Sequence, residues 1–253
     1  MAFPFFFRFL ARINMNEAIL YISQWVGAAA VAMIAGLSPK FHRVKLVFLY
    51  PRREGIVALG VFGFGFLTST VFAGLAPISL FSLPPAESLR LAIAGISLAP
   101  VGVALWRRKQ PIRSAGWSPD KLTGAVQLGL ALAFFSIFLR GKFFEVINGL
   151  NGTELIMLVF SLVVVLIEET IFRGYIQLRL MSWWGEIPGW LVSAFLFVAV
   201  QLPRLMLEPD RLLPNLLIVA GQSLVAGYVM LRSRHVLAPA LFRAVSEWLI
   251  FLQ

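Results

Sequence analysis

Eight stretches of mostly apolar residues follow one another along the chain, separated by short polar segments. They cover roughly residues 18–37, 55–76, 89–106, 122–139, 155 onward, 190–207, 212–231 and 236–252. A helix of about 20 apolar residues crosses the hydrocarbon core of a bilayer, which is about 30 Å thick. The pattern therefore predicts an all-α fold, a polytopic membrane bundle of about eight transmembrane helices.

The composition agrees with this class of protein. Hydrophobic residues make up 59% of the chain and charged residues 13%, and the mean hydropathy is +0.85. Such values are not those of a soluble domain. Without an internal repeat we expect one integrated membrane domain, with amino-terminal helices and basic loops over residues 1–121 and a membrane core over residues 122–253. No cysteine is present, which excludes disulfides and thiolate metal ligands.

The net charge of +10 is concentrated in loops between the apolar stretches. In a membrane protein this charge favours contact with anionic lipid, and we expect no nucleic-acid partner. Fourteen Lys and Arg follow the first, third, fifth and seventh stretches, with Arg173 and Arg179 counted as loop residues, and six lie in the amino-terminal segment and the other loops. The positive-inside rule then places both termini outside, and we expect an integral protein of a prokaryotic plasma membrane.

Two adjacent carboxylates interrupt the fifth stretch. Of the thirteen residues from Leu155 to Ile167 only Ser161 is polar, so Glu168 and Glu169 are expected about two thirds of the way across the membrane. A charge near the centre of such a helix costs on the order of 3 kcal/mol, and ionisable residues there usually face a bundle interior or a wet cavity. The stretch therefore predicts a functional site.

Helical spacing assigns provisional partners within this site. Glu169 and Arg173 stand at i and i+4 and share a face, whereas Glu168 is turned by about 100°. We predict that Arg173 pairs with Glu169 and leaves Glu168 free to act as a base. The alternative is that these charges simply mark the end of the span, with Arg173 extending to the interface.

Later stretches carry polar residues at positions where apolar ones are expected. Phe197 and Gln201 stand at i and i+4 in the sixth stretch, and Arg243 and Glu247 do so in the eighth. A glutamine or an ion inside a membrane needs a partner, so these side chains are expected to pair or to reach the glutamates. Arg90, near the start of the third stretch, is expected to extend toward the interface instead.

The charged residues of the predicted site carry a small excess of negative charge. Glu168, Glu169 and Glu247 carry three negative charges and Arg173 and Arg243 two positive ones, which leaves about one negative charge that a proton on Glu168 could cancel. Such a site needs no metal ion to be tolerated in the membrane.

The segment EETIFRGYIQLRL resembles the first motif of the CPBP family, the intramembrane proteases that include CAAX prenyl endopeptidases and Abi-type proteins. That family has Glu-Glu-x-x-x-Arg, Phe-x-x-x-His and His-x-x-x-Asn on successive membrane helices. The resemblance extends over about residues 120–252. It implies that the site consists of the following matched positions: Glu168, Glu169, Arg173, Gln201, Arg243 and Glu247 as catalytic residues and Phe197 as a substrate-binding residue.

The chain departs from the family pattern at three positions. Gln201 and Arg243 replace the two histidines, and Glu247 replaces the asparagine. The only histidines, His42 and His235, fall in predicted loops. A zinc site normally needs nitrogen or sulfur ligands, so zinc is not favoured, no residue is assigned to a metal, and the cofactor stays unassigned.

Two functions remain open at this stage. In the first, the protein is a hydrolase of membrane-associated or prenylated peptides, in which Glu168 activates water while Arg243 and Gln201 stabilise the oxyanion. In the second, it is a catalytically inactive relative whose buried Glu, Arg and Gln side chains form a satisfied network. It would then bind a lipidated or membrane-spanning peptide within the lipid.

Overall fold

The computed structural model describes residues 15–38, 48–74, 85–207 and 209–252, and these residues form helices without strands. The helices are α1 (Met15–Ala35), α2 (Pro51–Ala73), α3 (Pro85–Arg107), α4 (Leu122–Leu139), α5 (Phe143–Ile147), α6 (Gly152–Glu169), α7 (Leu178–Trp184), α8 (Glu186–Leu205), α9 (Leu212–Ser233) and α10 (Leu237–Trp248). A π-helical segment (Thr170–Gln177) joins α6 to α7, and short 3₁₀ turns lie at Ile112–Ala115, Pro119–Lys121 and Pro209–Arg211.

Six helical segments of the described chain are long and apolar enough to cross a membrane. They are Pro51–Ala73, Glu87–Arg107, Pro119–Leu139, Gly152–Trp184, Glu186–Leu205 and Pro209–Ser233. The prediction of an all-α polytopic bundle is confirmed. The eighth apolar stretch forms a shorter helix than expected, because α10 ends at Trp248 after 12 residues, or about 18 Å. The first twelve residues, His42 and most of the basic loop after the first stretch lie outside the described residues.

The longest helical unit runs without a break from α6 through the π-helical segment into α7. Arg173 and Arg179 lie within this unit and are buried, so counting them as loop residues was wrong. The sequence pattern misled because charged residues normally end a span, whereas both guanidinium groups here have buried partners. Removing both from the count leaves twelve basic residues on one side against six, so the direction of the bias is unchanged.

The short helix α10 lies inside the bundle, packed against α4, α6 and α9. Its Phe242 packs with Leu132 of α4, and its Val245 and Trp248 pack with Phe160 of α6. The outer faces of the long helices carry large apolar side chains exposed to the surroundings, among them Phe138 and Val159. A bilayer covers such faces, which is why apolar residues occur on both sides of these helices.

A buried ion-pair cluster around Glu54 holds the end of the bundle where α2 begins. Arg179 Nε lies 3.1 Å from Glu54 Oε2, and Arg108 Nη1 lies 2.8 Å from the same oxygen. Gln110 completes the cluster by donating to Glu54 Oε1 at 2.8 Å and accepting from Arg179 at 2.6 Å. The guanidinium of Arg179 also lies 3.5 Å from the centre of the Tyr175 ring. These contacts fasten α2 and the end of α3 to α7.

Candidate functional site

Helix α6, which carries Glu168 and Glu169 at its end, is fixed at its start by local hydrogen bonds. Asn151 accepts from the Glu154 amide at 2.9 Å, and the Glu154 carboxylate accepts from the Asn151 amide at 2.8 Å, which is a capping box. The Trp248 indole donates to the Glu154 carbonyl at 2.8 Å, so the end of α10 is tied to the start of α6. The two helices therefore run side by side and bring Arg243 opposite Glu168 and Glu169.

Arg243 binds three carboxylates with one guanidinium group. Its Nη1 donates to Glu169 at 2.8 Å, its Nε donates to Glu247 at 2.7 Å, and its Nη2 donates to Glu168. The side chain of Arg243 is 3% exposed, and the fork of donors on a guanidinium suits such multiple pairing. The structure thus brings the predicted Arg243 and Glu247 onto the glutamate pair.

Arg90 also belongs to this cluster, although its position near the start of the third stretch predicts a side chain that extends to the interface. Its Nε and Nη2 donate to Glu168 at 2.9 and 2.8 Å, and its Nη1 lies 2.6 Å from Glu247. The expectation that Arg90 extends away from the site was therefore wrong. The expectation that Glu168 is free was wrong for the same reason, because both of its oxygens accept hydrogen bonds from arginines.

Arg173 occupies the other side of the pair. Its Nε lies 3.4 Å from Glu169 Oε2, as the i and i+4 spacing predicts. Its Nη2 donates to the Ser223 carbonyl at 2.9 Å and to the Ser223 hydroxyl at 2.8 Å. That hydroxyl in turn donates to the Ala194 carbonyl at 3.0 Å. Arg173 therefore links the end of α6 to α8 and α9, a role that the i and i+4 spacing does not predict.

Phe197 and Gln201 approach the cluster from α8. Phe197 is 2% exposed, and its ring centre lies 4.4 Å from the Arg243 guanidinium and 5.3 Å from that of Arg173, so one ring is within cation–π distance of both cations. The Gln201 amide nitrogen lies 3.5 Å from Glu168 Oε1, at the outer limit for a hydrogen bond. All the predicted site residues are thus found in one region of the structure.

The charges of the cluster are equal in number. Glu168, Glu169 and Glu247 face Arg90, Arg173 and Arg243, so the excess negative charge of the sequence analysis disappears once Arg90 is included. Removing charges from water is expensive, and direct pairing with good hydrogen bonds is what offsets this cost. Among the described residues, no group of three or more His, Cys, Asp or Glu side chains is arranged to hold a metal ion.

Two cavities meet at the cluster. A small one of about 30 Å³ borders Glu168 and is also lined by Ser69, Ser97 and Gln201. This volume and these polar groups suit a water molecule, which needs about 10–15 Å³ and two to four polar partners. A large cavity of about 760 Å³ lies beyond it, and Arg90, Gln201 and Arg204 line both.

Two adjacent glutamates, each paired with arginines, lie buried in a bundle of apolar helices. This arrangement is that of an integral membrane protein with a buried polar centre. Residues 151–249 match the family model described as Type II CAAX prenyl endopeptidase Rce1-like. The resemblance seen in the sequence is thereby confirmed for this part of the chain, which includes all the predicted site residues. No curated protein and no solved structure matches the chain. The match supports an intramembrane protease-like function and does not include Arg90.

Proposed function

We propose that this protein is an intramembrane hydrolase that cleaves a peptide bond in a membrane-associated or prenylated substrate, with Glu168 as the base toward water. The observation that supports this most is the position of Glu168 beside a cavity of water size that adjoins the large one. A peptide in the large cavity would lie next to Gln201 and Arg243, because both residues line that cavity. The family match over residues 151–249 supports the same class of reaction.

In the proposed reaction Glu168 accepts a proton from water while the water oxygen bonds to the peptide carbonyl carbon. The electron pair of the carbonyl double bond moves to the oxygen, and Arg243 and Gln201 stabilise the resulting oxyanion. When the intermediate collapses, the carbon–nitrogen bond breaks and Glu168 returns the proton to the leaving nitrogen. Water is consumed, and no oxidant or reductant is needed.

The pairing of Glu168 sets a condition on this reaction. Both oxygens of Glu168 accept hydrogen bonds from arginines, so in the resting site the carboxylate is occupied by Arg90 and Arg243. Substrate must therefore separate Arg90 from Glu168 before water is activated. Arg90 lines the large cavity, so a substrate there would contact it directly.

The second candidate is a catalytically inactive member of the family that binds a lipidated or membrane-spanning peptide. The observation that favours it is the equal number of carboxylates and guanidinium groups in the cluster, which makes the cluster neutral without substrate. In both cases we propose a prokaryotic plasma membrane as the location, with membrane lipid around the chain and both termini outside. We propose no nucleic-acid partner and no resident metal.

The experiment that tests the proposal measures cleavage of a prenylated, membrane-tethered reporter peptide by the purified protein in vesicles. The wild type is expected to cleave, and Glu168→Gln is expected to lose cleavage because the amide cannot accept the proton. Asp120→Asn makes the same chemical change at an exposed position outside the cluster and is expected to keep the wild-type rate. Binding of the reporter by the folded wild type, without cleavage, would favour the second candidate. Equal cleavage by Glu168→Gln would contradict the proposed role of Glu168.

A further inference from the structure

The large cavity carries an excess of positive charge on its walls. Six basic side chains line it, namely Arg90, Arg140, Lys142, Arg204, Arg211 and Arg243, against the two carboxylates of Glu87 and Glu247. Arg90 and Arg243 are occupied by the glutamates of the candidate site, and Lys142 lies 3.3 Å from Glu145. The remaining excess comes from three arginines that the proposed reaction does not use.

These three arginines have no ion pair with a described carboxylate. Glu87 and Glu168 interact with Arg204 through their charges, but neither carboxylate has an oxygen within 4 Å of a guanidinium nitrogen of Arg204. Arg140 packs its guanidinium 4.1 Å from the centre of the Tyr21 ring, and its Nη1 is buried without a hydrogen-bond partner in the part of the chain described. Arg211 is exposed at the cavity wall. Guanidinium groups in this state are donors available to an anion.

The position of the three arginines along their helices indicates a depth in the membrane. Arg140 directly follows α4, Arg204 lies in the last turn of α8, and Arg211 directly precedes α9. Ends of long apolar helices lie at the level of the lipid headgroups. The cavity also has an apolar part, to which Leu205, Ile218 and Leu249 contribute.

We propose that this cavity binds an anionic membrane lipid. Arg140, Arg204 and Arg211 hold the headgroup phosphate, and the part of the acyl chains nearest the headgroup lies against the apolar wall. Arginines hold phosphate oxygens with paired hydrogen bonds, and a cavity of about 760 Å³ accommodates a headgroup with part of its chains. This lipid would occupy the cavity that the proposed function assigns to the peptide substrate, so the two ligands would compete for it, and lipid binding itself does not depend on hydrolysis.

The test uses the full chain, purified in detergent and freed of lipid, with binding followed by native mass spectrometry. Phosphatidylglycerol is expected to bind at one site roughly tenfold or more tighter than phosphatidylcholine with the same acyl chains. Inorganic phosphate alone is expected to compete weakly, because it lacks the apolar contact. Tight binding of inorganic phosphate, with no gain from the lipid, would overturn the lipid assignment.

Variants identify the site. Arg204→Gln and Arg211→Gln are each expected to weaken phosphatidylglycerol binding roughly tenfold. Arg211 is exposed, so its replacement keeps the fold intact and the measurement interpretable. Arg53→Gln removes the same charge from an exposed position on α2 beside the Glu54 cluster and is expected to leave binding unchanged.

Two outcomes of the variant series would overturn the proposal. One is equal weakening by Arg53→Gln, which would mean that net charge alone attracts the lipid. The other is an unchanged affinity in the Arg204→Gln and Arg211→Gln double variant. A further arm adds a peptide with a free carboxyl terminus or its amidated form. Binding of the free-carboxylate peptide that depends on Arg204, without binding of phosphatidylglycerol, would overturn the lipid assignment in favour of a peptide carboxylate.

Discussion

Arg90 donates two hydrogen bonds to Glu168, although the two residues are 78 positions apart in the sequence. This contact joins α3 to α6 and places a cation from outside the family-matched region on the first glutamate of the pair. It makes the cluster neutral and occupies the carboxylate that the proposed reaction needs. The resting state of the site is therefore a paired one, and several predictions depend on this.

Replacement of Arg90 is expected to raise the rate of reporter cleavage. In Arg90→Gln the base Glu168 keeps its contact with Arg243 but loses its two hydrogen bonds from Arg90, so its carboxylate is more accessible to water. Initial rates at saturating reporter, compared between wild type and Arg90→Gln in vesicles, check this expectation. A rate lower than that of the wild type, in a variant that stays folded at the assay temperature, would mean that Arg90 assists the reaction.

Removing arginines from the cluster is expected to lower stability in a set order. Arg243→Ala leaves three buried carboxylates without their shared partner and is expected to cost about 3–5 kcal/mol of unfolding free energy. Arg90→Ala affects two carboxylates that keep Arg243, and its cost is expected to be smaller, about 1–3 kcal/mol. The exposed Arg53→Ala, as a control, is expected to change stability by less than about 0.5 kcal/mol. Denaturant unfolding in detergent gives the order, and a reversed order would contradict the described pairing.

The helices could be predicted from the sequence because the length of an apolar run is a local property. The fourth stretch, residues 122–139, has the bounds of α4, and the i and i+4 spacing of Glu169 and Arg173 correctly gave their pairing. The contact of Arg90 with Glu168 could not be predicted, because it depends on how α3 packs against α6. An arginine near a helix end ordinarily reaches the interface, so its local pattern indicated the wrong partner.

The buried state of Arg173 and Arg179 also depends on packing rather than on local pattern. Each has partners from other helices, Ser223 for Arg173 and Glu54 for Arg179, and the sequence around them shows neither. Ser223, in the seventh apolar stretch, and Gln110, in the basic loop after the third, are weak signals of such partners in the sequence. The two cavities are likewise properties of the assembled bundle.

Gly174 is a position where a side chain is expected to disrupt the bundle. A Cβ there would lie 2.1 Å from the Ala115 carbonyl oxygen, which is backbone and cannot move aside easily. Gly174→Ala is expected to cost about 1–3 kcal/mol, as other overpacked sites do. Gly60→Ala is the control, because nothing lies within 4 Å of a Cβ at Gly60 within α2, and alanine there is expected to be neutral or stabilising by up to about 1 kcal/mol. Equal melting temperatures of the two variants would contradict the close approach at Gly174.

Stability is expected to fall at acidic pH because of His235, which lies between α9 and α10. Burial lowers the pKa of this imidazole, and its Nδ1 accepts a hydrogen bond from the Leu237 amide at 3.1 Å. The unfolded chain therefore binds the proton more tightly, with a pKa of about 6.5. The stabilisation is present above that pH and is lost as the pH falls below it.

The measurement for His235 is the melting temperature as a function of pH. His235→Gln lacks the titrating group and is expected to show a flatter profile between about pH 7 and pH 5, where His235 changes charge on unfolding. His42 remains in both proteins and contributes equally to both profiles. Identical profiles for the wild type and His235→Gln would contradict the buried, neutral state of this imidazole.

The central claim is that water activated by Glu168 opens a peptide bond within the membrane. The most direct measurement is cleavage of the tethered reporter in water enriched in oxygen-18, with mass spectrometry of the products. The wild type is predicted to give a product whose new carboxyl group carries one oxygen-18 atom, and Glu168→Gln is predicted to give none. Absence of product from the folded wild type, or labelled product from Glu168→Gln at the wild-type rate, would contradict the account.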